Sequence, residues 1–190
     1  TASREEEADI ENSLGGADLT LRKSSASWLK LEASRTKGPG VPASTSINGG
    51  FGFDNTAGFL VDNDVEASAY RVDGSVGFKD IFQNGRGRVT FYWQDLEAGY
   101  SAPGHVTARD PTQYGGTAEM PFTDRLSARA KMDKREQQEG LETETGELNL
   151  DYRMGEHWTL GSGVRYDSRE DKSPVVPATQ EEGDRTDAVV

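Results

Sequence analysis

The sequence predicts an all-β protein, an antiparallel up-and-down meander of about eight strands. Three observations predict it. Apolar and polar residues alternate with a period of two in one segment after another, the spacing at which strand side chains share a face. The connections alternate short and long, as in a meander with one trim end and one elaborate end. Aromatic residues gather near the ends of the alternating segments.

Residues 1–16 are acidic and unpatterned and read as a loop or disordered terminus. Ala17, Leu19 and Leu21 then alternate with Asp18, Thr20 and Arg22, and after a polar turn Leu29, Leu31 and Ala33 alternate with Lys30, Glu32 and Ser34. Residues 35–65 are rich in Gly, Pro, Ser, Asn and Asp, hence a long loop, with Phe51, Phe53 and Phe59 as possible anchors. In the next strand Tyr70, Val72, Val76 and Phe78 oppose Arg71, Asp73, Ser75 and Lys79. Asn84-Gly85, a strong hairpin signal, leads to Val89, Phe91 and Trp93. Residues 98–112 form a second long loop, and Tyr114, Gly116, Ala118 and Met120 a weaker strand. A turn at 121–124 returns the chain through Leu126, Ala128, Ala130 and Met132. Residues 134–145 read as a third, charged long loop.

The clearest hairpin is 147–168. Leu148, Leu150 and Tyr152 share a face in its first arm, and Trp158, Leu160, Val164 and Tyr166 in its second, with Gly155 placed where a tight turn uses positive φ. Residues 169–190 are an acidic, Pro-containing loop leading into a truncated strand at Ala188. The strand region thus runs from 17 to 168, in strands of roughly 8–11 residues, near the length that crosses a bilayer when tilted.

Composition narrows the classes. The 190 residues suffice for one domain, but only 33% are hydrophobic, and the mean hydropathy is −0.75. A net charge of −12 repels phosphates, so no nucleic-acid partner is expected. No run of about 18 apolar residues exists, so membrane residence requires a β-barrel. No cysteine is present.

Two architectures share this alternation. A transmembrane β-barrel, or a segment of a larger one, turns the apolar face to lipid and the polar face to a lumen. A soluble extracellular β-sandwich, acting as a binding or adhesion module, turns the apolar face inward instead. Mixed charges on the polar face favour the barrel, with Arg71, Asp73, Arg88, Arg125, Arg129, Lys131, Asp151, Arg153, Arg165 and Asp167 as candidate lumen residues. So do small residues on the apolar face, and the aromatics Trp28, Phe78, Trp93, Phe122, Trp158 and Tyr166 at the expected interface levels.

No catalytic constellation emerges, and no enzyme or cofactor is expected. His105 falls in a long loop and His157 in a short turn, there is no thiol, and no Gly-x-Ser-x-Gly occurs. Asp62, Asp64 and Glu66 alternate as calcium ligands do but lack the rest of that motif, and Gly85-Arg-Gly87 is too short to cradle a phosphate. The acidic stretches Glu136, Glu139, Glu142, Glu144 and Glu181, Glu182, Asp184, Asp187 are candidate sites for divalent cations.

The hairpin Leu148-Asn-Leu-Asp-Tyr-Arg-Met-Gly-Glu-His-Trp-Thr-Leu-Gly-Ser-Gly-Val-Arg-Tyr166 resembles the strand–turn–strand units of Gram-negative outer-membrane β-barrels. With Leu29-Lys-Leu-Glu-Ala-Ser-Arg35, Lys37-Gly-Pro-Gly40 and Gly99-Tyr-Ser-Ala-Pro-Gly104, it is similar to the barrel portion of large TonB-dependent-receptor-like or OmpA-like proteins. The resemblance implies the bacterial outer membrane, its lipid and lipopolysaccharide as surroundings, barrel-assembly machinery as a partner, and a porin-like or structural role. No plug precedes the strands and no peptidoglycan-binding domain follows, so a fragment of a larger barrel is expected.

Overall fold

The structure is a computed structural model; it describes residues 2–7, 10–38, 65–102, 105–107, 110–138, 140–172 and 182–189. Twelve strands lie among the described residues: β1 (Ala2–Glu7), β2 (Ile10–Arg22), β3 (Trp28–Gly38), β4 (Val65–Gly77), β5 (Arg88–Leu96), β6 (Ser101–Ala102), β7 (His105–Val106), β8 (Pro111–Pro121), β9 (Leu126–Gln137), β10 (Leu141–Arg153), β11 (Thr159–Asp171) and β12 (Gly183–Val189). The only helical element among the described residues is one 3-10 turn, Phe78–Asp80. Ten strands form one sheet in the order β1-β2-β3-β4-β5-β8-β9-β10-β11-β12, while β6 and β7 pair with each other. The all-β, up-and-down antiparallel class is therefore correct, in an open sheet that is not closed into a barrel.

Several boundaries differ from expectation. Much of the acidic stretch 1–16 lies in β1 and β2, so it is not a loop, and the main sheet has ten strands where about eight were expected. The expected long loop at 134–145 shrinks to 138–140, because β9 and β10 run on as a regular ladder. There the strand faces turn polar: Lys134 stands opposite Glu144 and bonds Glu142 at 2.9 Å, so ion pairs replace apolar contacts. The C-terminal segment gives β12, paired along β11 from Gly163↔Val189 to Arg169↔Gly183. His105, expected in a loop, starts β7. Positive φ falls at Gly87, Gly99 and Gly183, and Gly155 is not among these. Phe51, Phe53, Phe59, Asp62 and Asp64 lie outside the described residues.

The chain packs as two compact units. The first comprises Thr1–Leu19, Leu31–Arg71 and Gln94–Thr112; the second comprises Thr20–Lys30, Val72–Trp93 and Gln113–Val190. In the first, Ala67 (1% exposed), Ala69 and Tyr100 are buried, with Leu14, Leu96 and Ala102 packed against them. In the second, the order comes from the ladder and its turns. At the 23–27 turn, the Asp80 carboxylate accepts hydrogen bonds from the hydroxyls of Ser24 and Ser27, each 2.5 Å, and its carbonyl accepts one from Lys23 Nζ at 2.8 Å. The two hydroxyls, with the positive field of Lys23 and Lys79, hold the Asp80 carboxyl below its ordinary range. Gly85 is required sterically, since a Cβ there would run into the Phe78 carbonyl.

Candidate functional site

The registers of β9 to β12 sort the side chains of the second unit into two faces. On one, Leu126, Tyr152 and Leu160 form a cross-strand row, followed by Ala128, Leu150 and Ser162. Ala130, Leu148, Val164 and Ala188 come next, then Met132, Gly146, Tyr166 and Thr186. From Tyr152 to Gly146 this band measures about 20 Å along the strand, at roughly 3.4 Å per residue. It is bare: Leu150 is 40% exposed, and Leu148, Tyr152, Leu160 and Val164 are exposed likewise. Phe91, 42% exposed, lies over Gly74, where any Cβ would strike its ring. An aromatic ring covering a cross-strand glycine shields the backbone and pins the register.

The same face turns charged beyond the row of Met132 and Tyr166. Glu142 is bracketed by Lys134 and Lys172, and Lys134 also bonds Glu136 at 2.7 Å. The Tyr114 and Tyr166 hydroxyls donate to Glu136 and Asp184 at 3.4 and 3.3 Å, so both rings join the oily band to the charged collar. At the opposite end Phe122, Met154 and Trp158 (76% exposed) stand out by the turns.

The other face is polar. Lys131, Glu147, Arg165 and Asp187 stand directly opposite one another across four strands, alternating in sign. Cross-strand pairs of opposite charge each contribute roughly 0.2–1 kcal/mol and select the register. Glu119 bridges Arg88 and Arg129, each at 3.4 Å. Asp167 lies 3.1 Å from Arg169 and 3.8 Å from Arg165, and opposite Arg185. Tyr92 donates to Asp133, Gln113 Nε2 reaches the Tyr92 oxygen at 3.1 Å, and the Tyr92 ring lies over Gly115. Gly161 and Gly163 leave room for the side chains of Asp151 and Asn149, on the floor of an open groove of about 780 Å³.

The structure therefore brings Arg88, Arg129, Lys131, Arg165 and Asp167 into charge-paired arrangements, while Asp151 stands opposite Ser127 and Gly161. Arg71, in the first unit, donates to Gln94 at 3.1 Å, and Asp73 is half-buried on β4. Arg125 and Arg153 belong to the turn end, where the Arg153 N–H bonds the Arg125 carbonyl at 2.8 Å. Among the aromatics, Trp93, Phe122, Trp158 and Tyr166 are exposed; Trp28 is half-buried at the start of β3, and Phe78 sits in the 3-10 turn and not on a strand. Glu119 and Glu147, partners of the predicted basic residues, carry the right alternation parity but were not among the expected lumen residues, and Asp187, expected as a cation ligand, stands opposite Arg165. The acids read as cation loops at Glu136, Glu142 and Glu144 lie within strands, and Glu66 pairs with Arg35 and, at 3.8 Å, with Lys37. Among the described residues no group of three His, Cys, Asp or Glu side chains is placed to hold a metal ion. No protein-family model, curated protein or solved structure matches the chain.

Proposed function

We propose that the chain is a non-enzymatic integral β-barrel of a bacterial outer membrane, or a segment of one, acting as a porin-like channel or a structural surface protein. The bare apolar band carries this reading. Ten large side chains of the sheet (Leu19, Leu21, Leu31, Phe91, Trp93, Leu148, Leu150, Tyr152, Leu160 and Val164) remain exposed. Leaving them half in water forgoes on the order of 10 kcal/mol, at roughly 2 kcal/mol for each full burial. That rivals the entire stability of an ordinary domain, about 5–15 kcal/mol. A soluble sandwich would cover this band with a second layer, and among the described residues none covers it. Hydrocarbon is the solvent that removes the cost, and the collar of Lys134, Glu136, Glu142 and Lys172 suits the head-group level above it.

The test is folding the chain into detergent micelles and phospholipid vesicles. The expected result is a compact form that migrates differently on gels before and after heating, with tryptophan emission shifted to the blue. A monodisperse, ordered sheet in plain buffer sinks the proposal. Ion conductance across planar bilayers then separates channel from structural role.

A further inference from the structure

Four turns of the second unit meet at one end of its strands. In the 23–27 turn, Lys23, Ser24 and Ser27 all bond Asp80, near the start of the 78–87 connection. Arg86, in that connection, bonds Asp124 of the 121–125 turn at 2.6 Å. The Arg125 carbonyl accepts the Arg153 N–H at 2.8 Å, and the Met154 N–H bonds the Trp158 carbonyl at 2.9 Å, closing the 154–158 turn. Two glycines permit the close approach. A Cβ at Gly77 would strike Ala26, and one at Gly87 the Glu119 carbonyl. The turns are thus tied into one platform.

This platform carries bare apolar side chains. Ile81, Phe82, Phe122, Met154 and Trp158 are 58% to 76% exposed, more than any residue of the apolar band. Its charge is opposite in sign to that of the chain. Lys23, Lys79, Arg86, Arg125 and Arg153 stand against Asp80, Asp124 and Glu156, a surplus of two positive charges in a chain of net charge −12. Asp80 is held by two serines and Asp124 by Arg86. Lys79, Arg125 and Arg153 are exposed and form no ion pair among the described residues. The collar at the other end of these strands is acidic, since Glu136, Glu142, Glu144, Glu170 and Asp184 outnumber Lys134 and Lys172.

We propose that the turn end of the second unit is a docking platform for anionic phospholipid, seated among phosphodiester head groups with the acidic collar at the opposite surface. The proposal rests on the bilayer reading of the preceding section and names the lipid class that this end meets. Exposed rings and unpaired cations on tied turns match a leaflet that offers acyl chains to the one and phosphates to the other. The planar guanidinium groups of Arg125 and Arg153 suit phosphate oxygens, and Trp158 and Phe122 suit the boundary between head group and chain. A chain of this net charge is otherwise repelled by an anionic surface, so a preference for one has to come from a local patch.

The experiment dilutes the full chain from urea into vesicles of phosphatidylcholine alone, or of phosphatidylcholine mixed equally with phosphatidylglycerol. Folding is read from gel migration before heating, as a function of lipid concentration. At low salt the wild type should reach half-maximal folding at severalfold less of the mixed lipid, and high salt should screen this preference away. A variant with Lys79→Gln, Arg125→Gln and Arg153→Gln together should lose the preference while folding like wild type in phosphatidylcholine alone. No preference in the wild type, or an unchanged one in the triple variant, overturns the proposal and leaves the bilayer reading standing, because folding into vesicles still occurs. If the wild type folds into neither vesicle, both fall together. Where the triple variant does not fold, Glu156→Lys decides: it should deepen the preference severalfold, and an unchanged preference overturns the proposal. The seat of the platform is read at Trp158, with Trp28→Phe and Trp93→Phe removing the other indoles. Bromine on the acyl chains close to the head group should quench Trp158 more than bromine near the bilayer centre, and the reverse order overturns the proposal.

Discussion

Leu150 and Asp151 are neighbours in β10 and point to opposite faces. In the barrel reading one meets hydrocarbon and the other a wet interior. Leu150→Lys is therefore expected to cost roughly 2–4 kcal/mol in vesicle unfolding titrations, the range for a cation on the lipid face at mid-depth. Ser127→Lys, on the polar face opposite Asp151, should change stability by no more than about 0.5 kcal/mol. Equal effects would abolish the distinction between the faces. Gly115 gives a third measurement. A Cβ there would stand 2.9 Å from the Tyr92 ring and 2.6 Å from the Met132 carbonyl, so Gly115→Val should destabilise by about 1–3 kcal/mol through overpacking. Alternation alone placed Leu150, Leu148 and Tyr152 on one face, because period two is visible in any strand with one oily side. Glycines beneath aromatic rings were illegible, since the partner of Gly115 is set by register and not by spacing.

Hairpins are where the sequence was hardest to read. The apolar alternation of β9 stops at Met132, yet the strand continues to Gln137. Hydrophobic periodicity cannot report a strand whose partners are ions; Lys134 had to be recognised as the partner of Glu136 on its own strand and of Glu142 across the ladder. The Lys131–Glu147–Arg165–Asp187 row offers a direct test of register. Glu147→Lys sets a cation between two others and should cost about 1–2 kcal/mol, the loss of two attractive pairs plus new repulsion. Unchanged stability in denaturant titrations at low salt would deny the row any role. The turn at 23–27 makes a prediction about acid. Its Asp80 carboxyl titrates below its ordinary range, so its contribution is present above the unfolded value of about 3.9 and lost as pH falls through the lower folded value. Protection of the amides at residues 24–27, measured against their intrinsic exchange rates, should hold down to about pH 4 and fall below it. Asp80→Asn should remove that fall while lowering protection at neutral pH.

Across the whole chain, the class of the fold was plain in the sequence while its extent was not. Ten strands emerged where about eight were expected because the polar segments of β1 and β12 carry no oily stripe to count. The packed core around Tyr100 also went unseen. Ala67 and Ala69 are small, and small residues on a polar face give no hint that another segment lies over them. In the barrel reading the bare band has one more consequence, which concerns the time before the protein would reach a bilayer. A sheet that keeps its oil on the outside has no safe form in the aqueous space between ribosome and bilayer. Each newly made copy would stick to the next unless an escort held it unfolded and handed it over. Production without such help should yield insoluble deposits, recoverable by dilution from urea into surfactant.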